Sequence, residues 1–375
     1  MKKVPGSLIS YMSNLVKSNG GINCAQGIPG FAPPDELLEE LEKIVANKKC
    51  HQYAPGQGLG ELREIISQNF SPGANLKREN VLITNGATEA ISLIYLYIKS
   101  IVKTGINVLG FDPAYESHSN LPNIHGDKFI NFTAEKTGCY NFELLERTIR
   151  SKKIRAVFLC SPGNPYGKIM SKKEIENIVN ICKKNNCFII FDAVYSDLYF
   201  DAPPFIPLLE PDKNIFVVSA FSKMLSVTGW RVGYLVAHTS HISKISDIHD
   251  YTGLSSPSVL QHAVFQYLSK HCYGSGYVKF LRKKIRTSFN LMSEQLVKLN
   301  FFVPDINGGY FIWAKLPSQF DNGFDFAVNL YNDQKVATVP GIHFSKKSSE
   351  WIRINIAKPE TEITEAAKRI KNFIS

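Results

Sequence analysis

Residues 155–195 read RAVFLCSPGNPYGKIMSKKEIENIVNICKKNNCFIIFDAVY, and the changes of pattern within them decide the fold. Residues 155–160 form an apolar run of strand length, broken by the double-proline turn Ser161-Pro162-Gly163-Asn164-Pro165-Tyr166-Gly167. Residues 171–186 then carry a helical period, and 187–191 form a second apolar run that ends in Asp192. A strand, a helix and a strand, with both strands near-continuously apolar, mark a parallel sheet covered on both faces. The alternation extends outward in both directions. Strand-like runs occupy 81–84, 107–111, 128–132, 214–219 and 232–237, with helix-like stretches at 88–102 and 142–149. The expected fold is therefore α/β, built on a mostly parallel seven-stranded sheet with helices on both sides. Ligands of such sheets bind outside the carboxyl ends of the strands, so the residues just after each run are the ones to read for chemistry.

The flanks differ. Residues 1–34 show little periodicity and close on Ala32-Pro33-Pro34, after which 35–46 read as a helix with Asp35 and Glu36 at its start. A long basic helical pattern covers 277–299, strand-like pieces follow at 310–314 and 351–356, and 360–373 close as a helix. The expected organisation is a large domain over 35–275 and a smaller α+β domain made of 1–34 plus 276–375. With 375 residues and 44% apolar content the chain is long enough for two cores.

Composition narrows the function classes. The apolar run 90–98 is far short of the roughly 20 residues that span a bilayer. Met1-Lys2-Lys3 is a basic start, but Pro5, Gly6, Ser7 and Ser10 interrupt any signal-peptide core, so neither secretion nor membrane insertion is expected. The seven cysteines are odd in number, scattered and without a CxxC, which predicts free thiols in a reducing cytoplasm and no metal site. The net charge of +10 comes from dispersed pairs such as Lys152-Lys153, Lys172-Lys173 and Lys183-Lys184, the pattern of solvated helix faces rather than of a nucleic-acid surface.

Four strand ends carry chemistry. The run 214–219 leads into Ala220-Phe221-Ser222-Lys223, where an amine beside small and apolar residues is placed for desolvation and nucleophilic work. Arg231 follows eight residues later, and two neighbouring cations call for an anion between them, such as a phosphate ester. The run 81–84 passes through Asn85-Gly86-Ala87-Thr88 into a helix, offering close backbone approach and the free N–H groups of a helix start. Asp192, at the end of an apolar strand, needs a cationic or hydrogen-bonded partner, and Tyr195 lies three residues on. Asn164 is presented by the double-proline turn. Arg353 alternates with Trp351 and Asn355 on one face of its strand, Ile352, Ile354 and Ile356 taking the other.

These motifs, in this order, resemble the class I/II aminotransferases of fold type I, the aspartate aminotransferase superfamily, which use pyridoxal 5′-phosphate (PLP). The likeness runs from Gln26-Gly27-Ile28-Pro29-Gly30-Phe31 to Arg353-Ile354-Asn355-Ile356-Ala357. It implies that Lys223 carries PLP covalently and shuttles the substrate proton, and that Asp192 pairs with the pyridinium nitrogen so that the ring serves as an electron sink. It implies further that Tyr195 and Asn164 bond the ring's phenolic oxygen and that Tyr115, in Asp112-Pro113-Ala114-Tyr115, stacks on the ring. Gly86, Ala87, Thr88, Ser222 and Arg231 would hold the phosphate. Tyr53 would reach the phosphate of the neighbouring subunit of a homodimer. Arg353 would take the substrate α-carboxylate in a bidentate grip, with Asn164 and the Gly27 backbone beside it. Two positions depart from the family's habit: Ala220 stands where Ser or Thr often touches the phosphate, and Tyr166 stands in the usual Asn-Pro-Thr-Gly turn.

The stretches 25–31 and 51–56 are closest in style to the methionine, aromatic and kynurenine aminotransferase branch, and no lysine stands beside Thr88 to receive a second carboxylate. The expected substrates are an apolar or aromatic L-amino acid and a 2-oxo acid. The alternatives are an aspartate/glutamate-type aminotransferase or a cysteine-S-conjugate β-lyase, which uses nearly the same groups. A PLP-binding regulator is disfavoured, since 1–34 are too short for an appended DNA-binding domain.

Overall fold

In the computed structural model, which describes residues 6–70, 73–102, 105–135, 139–208 and 213–375, seven strands form one sheet. They are β1 (Val81–Thr84), β2 (Asn107–Asp112), β3 (Lys128–Thr133), β4 (Ile154–Cys160), β5 (Phe188–Asp192), β6 (Ile215–Ala220) and β7 (Gly233–Val236). The spatial order is β1-β7-β6-β5-β4-β2-β3. Neighbours from β6 through β5, β4 and β2 to β3 run parallel, while β7 runs antiparallel to both β6 and β1. The expected strands are thus present within a residue or two, and the sheet is mostly parallel. The N-terminal Met1-Lys2-Lys3 start and Pro5 lie outside the described residues.

Side chains alternate between the two faces of this sheet, and each face is buried. Ile83, Val157, Ile189, Phe191, Val217 and Val236 enter one apolar cluster. Leu82, Ala156, Phe158, Ile190, Phe216, Val218 and Leu235 enter another. Each fully buried aliphatic or aromatic side chain contributes about 1.5–3 kcal/mol relative to exposure, so the near-continuous apolar runs follow from double-sided coverage. Among the covering helices, the one expected at 171–186 spans Lys172–Lys184. Ser171 caps it reciprocally, its hydroxyl accepting from Glu174 N at 3.2 Å while Ser171 N donates to the Glu174 carboxylate at 2.8 Å.

A second, three-stranded antiparallel sheet holds β8 (Phe311–Lys315), β9 (Val339–Pro340) and β10 (Trp351–Asn355), with β10 in the middle. Ile312, Ile352 and Ile354 pack there against Leu281, Ile285 and Met292 of the long helix Ser275–Lys298 and against Ile363 and Ile370 of the closing helix Glu360–Ile374. One expectation fails at the N-terminus. Leu8–Asn19 is a helix, α1, where little periodicity was expected. Its apolar positions Ile9, Met12, Leu15 and Val16 keep helical spacing and pack beside Trp313 and Tyr331, whose hydroxyl donates to Leu15 O at 2.6 Å. The short Leu8–Val16 pattern reads clearly only once that packing partner is known. Among the described residues, no helix is long and apolar enough to cross a membrane, and all seven cysteines are free thiols.

Candidate active site

The carboxyl ends of β1, β4, β5 and β6 open onto a cavity of about 390 Å³ that the N-terminal segment and β10 close from the other side. Gly27, Ala87, Thr88, Tyr115, Asn164, Asp192, Tyr195, Ser222, Lys223, Arg231 and Arg353 all line it. Gly86, expected with them, is not in the lining but lies against the Arg231 guanidinium. Tyr53, expected to serve a neighbouring subunit rather than its own cavity, is 84% exposed on the surface, beside a depression it shares with Asn85 and Gly253.

Lys223 sits in the single helical turn Phe221–Met224 that begins as β6 ends. Its Nζ donates to Gly27 O at 2.8 Å, and Tyr310 OH donates to the same carbonyl at 2.9 Å. Burial, with Arg353 and Arg231 adding and Asp192 opposing, lowers the ammonium from 10.5 to about 8. The lysine is therefore much closer to a free amine at neutral pH than an exposed lysine is.

Asp192, at the end of β5, is buried and shares a 3.0 Å hydrogen bond between its Oδ2 and His118 Nε2, while its Oδ1 accepts from Val194 N at 3.2 Å. His118 belongs to the helix Glu116–Ile124, here α2, and stacks flat on Phe158 with ring centroids 4.7 Å apart. Tyr115 precedes that helix and meets His118 edge-on at 5.4 Å. Tyr195 is buried against Tyr310 and Phe311, and burial raises its phenol well above the usual value.

Arg231 and the turn after β1 form a cradle. Arg231 adopts a left-handed backbone (φ 56°) and sends its guanidinium back to Asn85 O at 3.2 Å and Thr228 O at 3.2 Å. Gly86 (φ 80°) lies under that guanidinium, so an added Cβ would collide with it, and a Cβ on Gly233 would strike the Gly86 backbone. The helix Ala87–Val102 starts immediately beyond, its entry held by Asn85 N donating to the Glu89 carboxylate. Free N–H groups, a guanidinium and the Ser222 hydroxyl thus converge where an anion fits. Replacing Gly86 by alanine both strains the turn and displaces Arg231. Gly86→Ala is therefore expected to weaken binding of PLP, the phosphate ester that the sequence resemblance implies, at least about tenfold, measured as the fluorescence-quenching Kd of the apoprotein, with far-UV circular dichroism unchanged.

Arg353 is 1% exposed on β10, although its strand pattern alone permits a solvent-facing arginine. Its Nη1 donates to Asn164 Oδ1 at 2.8 Å and its Nη2 to Ala25 O at 2.5 Å, while the buried Nε has no hydrogen-bond partner. The guanidinium lies 4.2 Å from the Phe311 ring centre and 4.9 Å from that of Phe344. Sequence reading missed His118, Glu116 and Ile9 of this site. His118 and Glu116 lie on a helix rather than at a strand end, so no break in an apolar run marks them; the spacing of His118 from Tyr115, three residues, was the available signal.

Comparison with known proteins agrees with this geometry. The family model described as aminotransferase class I and II matches residues 19–370. A protein of Methanocaldococcus jannaschii described as a probable aspartate aminotransferase is 28% identical over 99% of this chain and 98% of its own length. One of Saccharomyces cerevisiae described as a probable kynurenine–oxoglutarate transaminase is 27% identical over 93% of this chain and 86% of its own. The solved structure of N-succinyldiaminopimelate aminotransferase from Mycobacterium tuberculosis superposes with a TM-score of 0.90 at 27% identity, covering 98% of this chain and 97% of that one.

Proposed function

The chain belongs to the class I and II aminotransferases, and from that premise we propose that it uses PLP to move the α-amino group of an apolar or aromatic L-amino acid, methionine among them, to a 2-oxo acid. The observation that carries the donor class is the charge of the cavity. Its cationic lining among the described residues is Lys223, Arg231 and Arg353, and each has a task already. Ile9, Ile28, Ile91 and Val194 supply apolar surface beside them.

The residues present fit PLP. The cradle of Gly86, Arg231 and the start of the helix Ala87–Val102 suits a phosphate, and the buried Asp192 carboxylate, oriented by His118, suits a protonated ring nitrogen. The Arg231 charge adds to the lowering of the Lys223 ammonium, a conflict that a dianionic phosphate beside Arg231 would relieve. Bound there, PLP supplies an electron sink for the bonds at the donor's Cα. The protein's own groups do the rest. Arg353 anchors the α-carboxylate through its free donors, with Asn164 fixing the plane of the guanidinium. Lys223 Nζ would take the proton from the donor's Cα and deliver it to the cofactor's C4′, a role its lowered proton affinity suits. Asp192 holds the proton of the ring nitrogen, Tyr195 and Asn164 serve the ring oxygen, and Tyr115 covers the ring face. Thr88 and Ser222 add donors to the phosphate. Tyr53 serves the phosphate of a neighbouring copy in a homodimer, which its exposure on its own chain allows. The same reading takes 35–275 as the cofactor-binding domain and 1–34 with 276–375 as the smaller one.

Adding L-methionine or L-phenylalanine to the PLP-loaded enzyme, without a 2-oxo acid, is expected to convert the visible cofactor band to the shorter-wavelength band of its aminated form. Conversion by L-aspartate faster than by either would overturn the donor class. Pyruvate and ammonia released from an S-substituted cysteine, again without a 2-oxo acid, would point to the β-lyase.

A further inference from the structure

One carboxylate in the cavity has no part in the reading above. Glu116 opens α2 next to Tyr115 and lines the same cavity as Lys223 and Arg353. Its Oε2 lies 2.6 Å from His343 Nε2, a buried contact in which the carboxylate keeps 21% of its exposure and the imidazole 8%. Burial pushes Glu116 up, but His343, the Ser7 hydroxyl and the Arg353 charge together outweigh it and hold the group below the usual carboxylate range. The cavity therefore presents a fixed anion toward the space that a donor bound on Arg353 must fill.

We propose that Glu116 sets the substrate class by excluding any donor or acceptor that carries a side-chain carboxylate. This rests on the reading of Arg353 and Lys223 given above. With the α-carboxylate on Arg353 and the amino group directed at Lys223, a second carboxylate enters a space bounded by Glu116 and by the apolar side chains of Ile9 and Ile28. No cation among the described lining residues is left to receive it. A second carboxylate brought beside Glu116 is repelled, and like-charge juxtaposition of this kind is a means of rejecting the wrong substrate. His343 keeps Glu116 from turning away, since the imidazole sits on the segment Gly341–His343 that leads toward β10 and the carboxylate has that contact to lose. Because the 2-oxo acid of the return half-reaction binds the same cavity, the exclusion applies to it as well. Monocarboxylic 2-oxo acids such as pyruvate are favoured over 2-oxoglutarate.

An isosteric pair isolates the charge. L-Glutamine and L-glutamate differ by an amide against a carboxylate, so shape and the anchor on Arg353 stay constant. The PLP-loaded wild-type enzyme is expected to convert L-glutamine with a kcat/KM at least about tenfold above that for L-glutamate, measured in single half-reactions. In Glu116→Gln the ratio is expected to fall toward one. Binding of the unreactive pair glutarate and glutaramate, followed by the cofactor's absorbance, should show the same tenfold preference for glutaramate in the wild type and its loss in the variant. The binding comparison in the wild type needs no variant, so the proposal stays testable if Glu116→Gln does not fold. Equal affinity for glutarate and glutaramate in the wild type, or an unchanged glutamine-to-glutamate ratio in Glu116→Gln, overturns it. Those outcomes leave the apolar donor class standing, whereas faster conversion of L-aspartate than of L-phenylalanine removes the donor class itself.

Discussion

Lys223→Ala is expected to lower transamination by at least about 10⁴-fold while leaving the fold intact. In the proposed function the amine is the group that both joins the cofactor and moves the Cα proton. Among the described lining residues no other lysine shares the cavity. The variant should still bind PLP through the cradle of Gly86 and Arg231, but without a covalent link the cofactor should leave on gel filtration. Steady-state turnover of L-phenylalanine and the retained absorbance together check this, and turnover within tenfold of the wild type would remove Lys223 from its role.

The same residue is also expected to affect stability, because burying its ammonium costs free energy. Its folded-state value of about 8 lies below the 10.5 of an unperturbed lysine, so between those values the unfolded chain binds more protons than the folded one. Stability of the apoprotein therefore rises as pH climbs from about 8 toward 10.5, and below pH 8 the penalty of burying the ammonium is complete. Lys223→Met, which keeps the stem and removes the charge, is expected to make the apoprotein more stable at pH 7, by no more than about 3 kcal/mol. The gain should shrink through the pH 8–10.5 window. Urea unfolding of the two apoproteins at pH 7 and pH 10 reads this directly; a variant less stable than the wild type at pH 7 would mean that the amine is not strained there. Destabilisation at Lys223 and the proton-transfer role proposed for it share one cause, the lowering of its ammonium by burial, Arg353 and Arg231.

Which parts of this site were legible in the sequence follows from how each residue is held. Lys223, Asp192 and Asn164 stand where an apolar strand stops, and an interruption of that kind is visible in one dimension. The turn of Gly86 was legible for a similar reason, since it lies between a strand and a helix. His118 and Glu116 were not, because they lie within a helix whose positions show no interruption. Their importance comes from what faces them, Asp192 from β5 and His343 from the approach to β10. The burial of Arg353 was hidden for a different reason. Alternation along β10 separates two faces, but it cannot say that the polar face meets another part of the chain instead of water. The N-terminal segment is that other part, with Ala25 O on the guanidinium and Gly27 O on the lysine. Ala25, Gln26 and Gly27 carry no such signal because their contacts lie with residues some 200–330 positions away.

Arg353→Lys keeps the positive charge and is nevertheless expected to reduce kcat/KM for the amino donor by about 10²–10³-fold, most of it in KM. The guanidinium does three things at once that an ammonium cannot. One of its arms is fixed by Asn164 at 2.8 Å, another by Ala25 O at 2.5 Å, and its central carbon lies 4.2 Å and 4.9 Å from the ring centres of Phe311 and Phe344. That clamp sets the direction of the remaining N–H donors, including the unpaired Nε, before any substrate arrives. A buried N–H without a partner costs about 1–3 kcal/mol, and a carboxylate that bonds it recovers that cost on binding. Lysine offers one nitrogen in place of three, so it can meet Asn164 or the substrate carboxylate in good geometry, but not both with the same alignment. Loss of a bidentate charge-assisted pair in a dry site amounts to roughly 3–4 kcal/mol, which converts to the stated factor at 1.4 kcal/mol per tenfold. The measurement that separates anchoring from folding is the affinity for an unreactive carboxylate such as 3-phenylpropionate, followed by the cofactor's absorbance. It should weaken by the same factor as kcat/KM, while PLP itself binds as in the wild type. Unchanged affinity for 3-phenylpropionate would place the α-carboxylate elsewhere in the cavity.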